Sequence, residues 1–562
     1  MNDMIEKAKK EVREIVLKAL GDAVADGVLP AEPIPDFTVE IPKDTAHGDF
    51  SCNAALVSAK AFKSNPRAIA TAISEKAVLD GTMFDKIEVA GPGFINFFVS
   101  GKWFSETIEK VISLGADYGK VELGKGKKVL VEFVSANPTG PMHIGNARGG
   151  AIGDCLSSLL EYAGYYVERE FYINDAGNQV NKFGLSLDIR YRQHFGDDIE
   201  MPEDSYHGQD IIDHVVNFAE IHGDKYMSAT EEERRAALVE YALPLNIEGL
   251  ERDLAKYRIH YNTWFRESTL HNSGRVNEIV EILKEKGHTY EKEGAIWFKA
   301  SDFGDDQDRV LVRANGVPTY FVPDIAYHYN KLVTRNFDMA IDILGADHHG
   351  YIARMKAALS ALDVDPERLN ILIMQMVRLV RNGETVKLSK RSGKAITLAT
   401  LLDEIPMDAA RFFFNLRDPD THLEFDLDLA IEESSKNPVF YVQYAHARIC
   451  RIIEKMKEEE NKTLTSSAAK DISFSEPAEL AIIRHLALLP SEITDAAKSY
   501  NPSVVTRYVQ ELAQLFHKFY DTCKIKGESD DVINSRLALC EAVKTVIKNM
   551  LDLLKVEAPE KM

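Results

Sequence analysis

Two short stretches carry residue types suited to holding a phosphate. In the first, an apolar, β-branched run (129–134) gives way to Ser135, Asn137, Pro138, Gly140 and Pro141, then to His143-Ile144-Gly145-Asn146. Beyond them Ala151, Ile152, Cys155, Leu156, Leu159 and Leu160 recur at helical spacing. The order reads as a buried parallel strand, a turn and a helix, with His143 and Asn146 in the helix's first turn. Such a helix end has unpaired N–H groups and the positive pole of the dipole, which suits an anion. Gly145 lacks a Cβ, so a flat ring such as adenine can lie against the backbone there. The second stretch, Lys387-Leu388-Ser389-Lys390-Arg391-Ser392-Gly393-Lys394, is a compact basic loop with small residues between its charges. Singly, His143 reads as a helix cap and the loop as a solvated surface turn.

Many elements must position these groups. Residues 4–25 read as one amphipathic helix with Ile5, Val12, Ile15, Val16 and Leu20 inward. Helices at 53–63 and 66–77 follow, the second opened by Asn65-Pro66. Two strand-like runs flank Gly91-Pro92-Gly93, closing a small α+β unit near Gly115. The segment 124–128 reads as a solvated turn before the first strand. A second parallel strand is expected at 165–173, ending in Asn174-Asp175-Ala176-Gly177-Asn178-Gln179. The pattern from about 187 to 295 is long, charged and helical, and reads as an insertion. Strand character returns at 309–315, 319–322, 340–344 and 371–380. After a Phe-rich helix (408–415) and a polar connection (418–428), nearly everything is helical. Tyr441, Tyr444, Ala445, Ile449 and Ile452, and likewise Val509, Leu512, Leu515, Phe516 and Phe519, read as core stripes.

At 562 residues the chain has room for three or four domains. A net charge of -21 means that an RNA partner must meet local basic patches. The five cysteines are scattered without C-x-x-C pairing, which argues against a zinc knuckle and for a reducing compartment. No apolar run approaches a membrane span, and the charged N-terminus lacks a signal peptide's apolar region.

Acids at predicted strand ends bear on the substrate. Glu132 lies on the first strand just before the turn, Asp324 follows Tyr320 and Pro323, and Asp347 follows the run 340–344. Three such acids suit a guanidinium or ammonium group better than an apolar one. A guanidinium paired to Asp324 and stacked on Tyr320 is a concrete form of this.

Together HIGN and KLSKR resemble the "HIGH" and "KMSKS" signatures of class I aminoacyl-tRNA synthetases. The wording EFVSANPTGPMHIGN, NDAGNQ, YFVPDIAYH, GADHHG and VKLSKRSG, with HGDFSCNAAL and GPGFINF near the start, is similar to bacterial arginyl-tRNA synthetases over essentially the whole chain. The resemblance implies a multidomain α/β protein with four parts. These are an N-terminal α+β tRNA-contacting domain (1–115), a Rossmann-type parallel-sheet catalytic domain (120–400, insertion about 187–295), a connecting segment (401–430) and an all-helical anticodon-binding domain (431–562).

It also implies ligation of L-arginine to tRNA(Arg) at the expense of ATP, with tRNA commonly needed for arginine activation. Arginine binding maps to Glu132 (near the α-amino group), Ser135, Asn137, Gln179, Tyr320, Asp324 and His348. ATP binding maps to His143, Gly145, Asn146, Asp347, Lys387, Ser389 and Lys390. Of these, His143, Asn146, Lys387 and Lys390 are the catalytic set. Magnesium is expected to arrive with ATP, with no structural metal, no membrane contact, a cytoplasmic location and a monomeric state. Two departures stand out: Asn146 replaces the fourth signature His and cannot become cationic, and Leu388 and Arg391 replace Met and the final Ser. The alternatives are another class I synthetase, an ATP-dependent nucleotidyltransferase, or a tRNA-binding paralogue without catalysis.

Overall fold

The computed structural model of the chain describes residues 3–348 (only the backbone of Asp347), 350–386, 396–463 and 472–562. Helix α1 (Met4–Ala25) opens on Asp3, whose carboxylate accepts from the N–H groups of Ile5 and Glu6. It buries the expected apolar face. An antiparallel sheet follows, built from β1 (Val39–Glu40), β2 (Phe50–Cys52), β3 (Phe84–Ala90) and β4 (Phe94–Val99) in the order β1-β2-β4-β3. Helices α2 (Ala54–Ser58), α3 (Pro66–Lys76) and α4 (Gly101–Leu114) complete this unit.

The next unit contains β5 (Lys128–Glu132), α5 (Ile144–Tyr162), β6 (Tyr166–Ile173), α6 (Asn178–His194), α7 (Gln209–His222), α8 (Glu231–Lys256) and β7 (Thr263–Arg266). Helices α9 (Ser268–Asn272) and α10 (Arg275–Glu285) lead to a small antiparallel sheet of β8 (Thr289–Lys292), β9 (Ala295–Phe298) and β10 (Arg309–Val312). Then come α11 (Phe321–Tyr329), which runs into a π-helical turn (Asn330–Thr334), β11 (Met339–Gly345), α12 (Tyr351–Ala361) and β12 (Leu369–Met374). The central sheet is wholly parallel, in the order β12-β11-β5-β6-β7. The strand order reverses beside β5, so its carboxyl end is where such a sheet opens a ligand crevice.

Strands β13 (Val377–Arg381) and β14 (Glu384–Thr385) precede α13 (Leu398–Glu404), α14 (Met407–Phe414), β15 (Leu423–Asp426) and α15 (Leu427–Ile431). The chain ends in α16 (Pro438–Glu460), α17 (Pro477–Lys498), α18 (Ser503–Thr522) and α19 (Asp530–Leu553). Among the described residues no helix is long and apolar enough to cross a membrane.

Four sequence readings need correction. The run 319–322 is no strand: Phe321 starts α11, with Pro323 in the first turn, where its missing N–H costs nothing. The run 371–380 is two strands in different sheets, and the polar connection holds β15, which pairs with β13. The supposed insertion contains β7, an edge strand of the parallel sheet beside β6. At four residues it is too short for a periodic signal to stand out.

Helix α5 is buried almost all round, as a helix between a sheet and a helical bundle must be. A Cβ on Gly153 would lie 2.1 Å from Phe133 Cγ, so glycine lets α5 sit directly on the β5 turn. Most buried polar groups of α5 have partners, Arg148 Nε being an exception. Arg148 donates to the carbonyls of Gln375, Asp418 and Thr421, and Asp154 accepts from Arg169 and Arg411. Arg411 also donates to the Leu554 and Tyr257 carbonyls, tying α14 to the ends of α19 and α8.

Candidate functional site

The β5–α5 turn is strained. Val134 and Ser135 both adopt positive φ, 69° and 38°, and a β-branched residue there is a genuine outlier. The kink brings the Ser135 hydroxyl within 2.9 Å of Glu132 Oε1, and that hydroxyl accepts from the Tyr172 N–H at 3.1 Å. Asn137 stands exposed beyond the kink.

His143 is the N-cap of α5 rather than part of its first turn, and it is exposed. Asn146 Oδ1 accepts from the His143 N–H at 3.1 Å. Among the described residues a Cβ on Gly145 would meet nothing within 4 Å. The His143 backbone pairs with that of Thr397, and Leu398 N–H donates to Met142 O at 2.9 Å. The exit of the basic segment is thereby fastened to the start of α5. Lys387, Ser389 and Lys390 lie outside the described residues.

Behind this edge lies a buried charge network. The parallel register sets Asp342 of β11 beside Glu132 of β5, and Glu132 beside Glu170 of β6. Lys331 Nζ, fully buried, lies 2.5 Å from Glu132 and 2.8 Å from Asp342. His328 Nε2 lies 2.7 Å from Asp342, and its Nδ1 lies 2.7 Å from the Asp324 carbonyl oxygen. Arg335 and the Tyr327 hydroxyl bond to Glu170. Burial opposes charge on Lys331 and Asp342, but their mutual attraction outweighs it: the lysine pKa is raised and the aspartate pKa held below the usual range.

Asp324, in the first turn of α11, differs. Among the described residues no hydrogen bond or ion pair reaches its half-buried carboxylate. Burial pushes its pKa up to about 7; His328 and Lys331 oppose that rise, while Glu267 and Glu132 add to it. Tyr320, 60 % exposed, stands just before it and approaches Gly177. Gln179 lies in the first turn of α6, where its Oε1 accepts from the Tyr206 hydroxyl at 2.6 Å. His348 packs edge-on to Tyr351 at 6.2 Å, in the turn after β11 that also carries Asp347. Glu132, Ser135, Gln179, Tyr320, Asp324 and His348 thus come from four separate segments: the end of β5 with its turn, the start of α6, the start of α11 and the turn after β11.

The family model for tRNA synthetases class I (R), catalytic domain, matches residues 107–450. Models for the arginyl tRNA synthetase N terminal domain and the DALR anticodon binding domain match residues 10–99 and 442–562. The chain is 55% identical to the arginine–tRNA ligase of Caldanaerobacter subterraneus, over all of both chains. It is 49% identical to that of Acetivibrio thermocellus, again over all of both. The chain belongs to the arginyl-tRNA synthetase family. The solved arginyl-tRNA synthetase of Thermus thermophilus shares its fold, with a TM-score of 0.73 at 20% identity, covering 99% of this chain and 100% of that one.

At the start of the helical C-terminal region, Phe440, Tyr441, Tyr444, Arg448 and His517 line a surface cavity of about 260 Å³. The Arg448 guanidinium lies 4.4 Å from the Tyr444 ring centroid and 4.6 Å from that of Tyr520. Tyr441 and Tyr444 are thus not plain core: Tyr441 is half-buried and Tyr444 exposed, whereas Ala445 and Ile449 on the same helix are buried. Helical spacing alone does not say which face meets the bundle.

Sequence reasoning missed His328, Lys331 and Asp342. A signal was available. Asp324, His328, Lys331 and Arg335 recur at spacings of four, three and four within a run that is otherwise apolar or aromatic except for Asn330 and Thr334.

Proposed function

We propose that this chain joins L-arginine to tRNA(Arg) in two steps. The arginine carboxylate attacks the α-phosphate of ATP, forming arginyl-adenylate and expelling pyrophosphate. The arginyl group then passes to the 3′ end of the tRNA, releasing AMP. The observation that supports this substrate is Asp324, a carboxylate with no bonded partner among the described residues, one helical turn after the exposed Tyr320. A guanidinium supplies the missing charge and two parallel N–H donors, and its flat face suits Tyr320.

In this reading Glu132, already oriented by Lys331 and Ser135, receives the α-amino group. Asn137, Gln179 and His348 complete the arginine pocket. ATP lies over Gly145, with its phosphates at the α5 N-terminus beside His143 and Asn146. Asp347 and Ser389 complete the nucleotide site. Lys387 and Lys390 close on the β- and γ-phosphates and stabilise the leaving pyrophosphate. Magnesium enters with ATP. The N-terminal unit and the helical C-terminus grip the tRNA, and the Tyr444–Arg448 cavity offers a stacking surface for an unpaired base. The working form is a cytoplasmic monomer.

The test is ATP–pyrophosphate exchange with each of the twenty amino acids, with and without total tRNA. Exchange with arginine alone, appearing when tRNA is added, is the expected outcome. Exchange with a different amino acid would overturn the pocket, and exchange with none would overturn the activity.

A further inference from the structure

The three in-register acids Asp342, Glu132 and Glu170 project from one face of the sheet, because paired residues of parallel strands share a face. Onto that face α11 and its π-helical turn bring His328, Lys331 and Arg335. Asp324 lies one turn earlier on the same side. Of the cations, Lys331 alone bonds to two acids on two strands, and its Nζ also lies 4.1 Å from the Tyr327 ring centroid.

We infer that Lys331 is a positioning residue for the amino-acid substrate: by engaging Glu132 and Asp342 together it leaves Asp324 as the carboxylate open to the substrate's cationic side chain. The inference rests on the arginine reading above. Without Lys331, Glu132 and Asp342 become neighbouring buried like charges. One of them must take up a proton or attract a cation of its own. Either outcome spoils the site: a protonated Glu132 loses its hold on the α-amino group, and a bare acid competes with Asp324 for the guanidinium. A merely structural salt bridge makes a different prediction, since its loss lowers stability without a specific change in arginine recognition.

Lys331→Met keeps the length of the side chain and removes its charge. The assay is arginine-dependent ATP–pyrophosphate exchange with total tRNA present. Lys331→Met is expected to raise KM for arginine about 50-fold while KM for ATP stays within about twofold. Lys331→Met/Asp342→Asn removes one acid together with the lysine, and should return KM for arginine to within about fivefold of the unmodified chain. An unchanged KM for arginine in the single variant overturns the inference, as does a folded double variant no better than the single one. If the single variant does not fold, the double variant is compared directly with the unmodified chain, and a rise of about 50-fold in its KM for arginine overturns the inference. Absence of arginine-dependent exchange in the unmodified chain overturns the arginine reading and this inference with it. Exchange by the unmodified chain with no effect of Lys331→Met overturns this inference alone.

Discussion

The backbones of His143 and Thr397 are bridged, joining the N-cap of α5 to the residue that caps α13. One of these residues opens the HIGN helix and the other closes the segment that follows KLSKR. In the proposed function the segment before this bridge meets phosphates held at the start of α5. The expected consequence is a rate effect. Lys390→Ala should lower kcat for exchange by about 100-fold while changing the dissociation constant of arginine less than threefold, as loss of a transition-state contact does. Pre-steady-state adenylate formation, set beside equilibrium arginine binding, checks it; an unchanged rate would count against the loop.

If Asp324 receives the guanidinium as proposed, arginine recognition should depend on pH. Burial, the largest influence, holds its empty-site pKa at about 7, above the value in an unfolded chain. Only the ionised form attracts a guanidinium, so KM for arginine should fall as pH rises through about 7 and then level. Asp324→Asn should flatten that limb and raise KM for arginine about 100-fold or more, with ATP binding retained. For stability the sign is opposite. The native state keeps this proton to higher pH than the unfolded chain, so the empty protein loses stability from about pH 4 to 7. Urea midpoints across that range, with and without Asp324→Asn, measure the loss.

Two glycines of α5 should respond in opposite ways to alanine. At Gly153 the new Cβ would lie 2.1 Å from Phe133 Cγ, so Gly153→Ala must displace the strained β5 turn. A destabilisation of about 1–3 kcal/mol is expected, with weaker arginine binding because Ser135 moves too. At Gly145 the Cβ would meet no atom of the described residues within 4 Å. Gly145→Ala should keep its unfolding midpoint and raise KM for ATP, because the methyl enters the space assigned to the adenine. Equal stability loss in both variants would refute the distinction.

The Tyr444–Arg448 cavity should matter to tRNA and not to small substrates. Stacking on an aromatic ring contributes about 1–3 kcal/mol per base, so Tyr444→Ala should raise KM for tRNA about 10- to 100-fold. KM for arginine and ATP at saturating tRNA should stay within about twofold. The same aminoacylation assay reads all three constants, and an unaltered KM for tRNA would remove the cavity from the tRNA surface.

What the sequence determined by itself is local. The Asp3 cap and apolar stripe of α1, the hairpin around Gly91-Pro92-Gly93, the HIGN helix after its strand and the helical C-terminus all follow from turn chemistry and periodicity within a few residues. His143 with Asn146, and Tyr320 with Asp324, could be singled out as candidates because each pair is closely spaced. The tertiary structure alone decided which residues meet across the sheet. Lys331 and Glu132 are 199 residues apart, and Asp342 reaches Glu132 only through the register of two parallel strands. Register and burial are properties of paired elements, and local periodicity does not carry them. That is why Tyr441 and Tyr444 read as core, why β7 read as insertion, and why Asp324 read as a strand end when it belongs to a helix that lays a row of charges on the sheet.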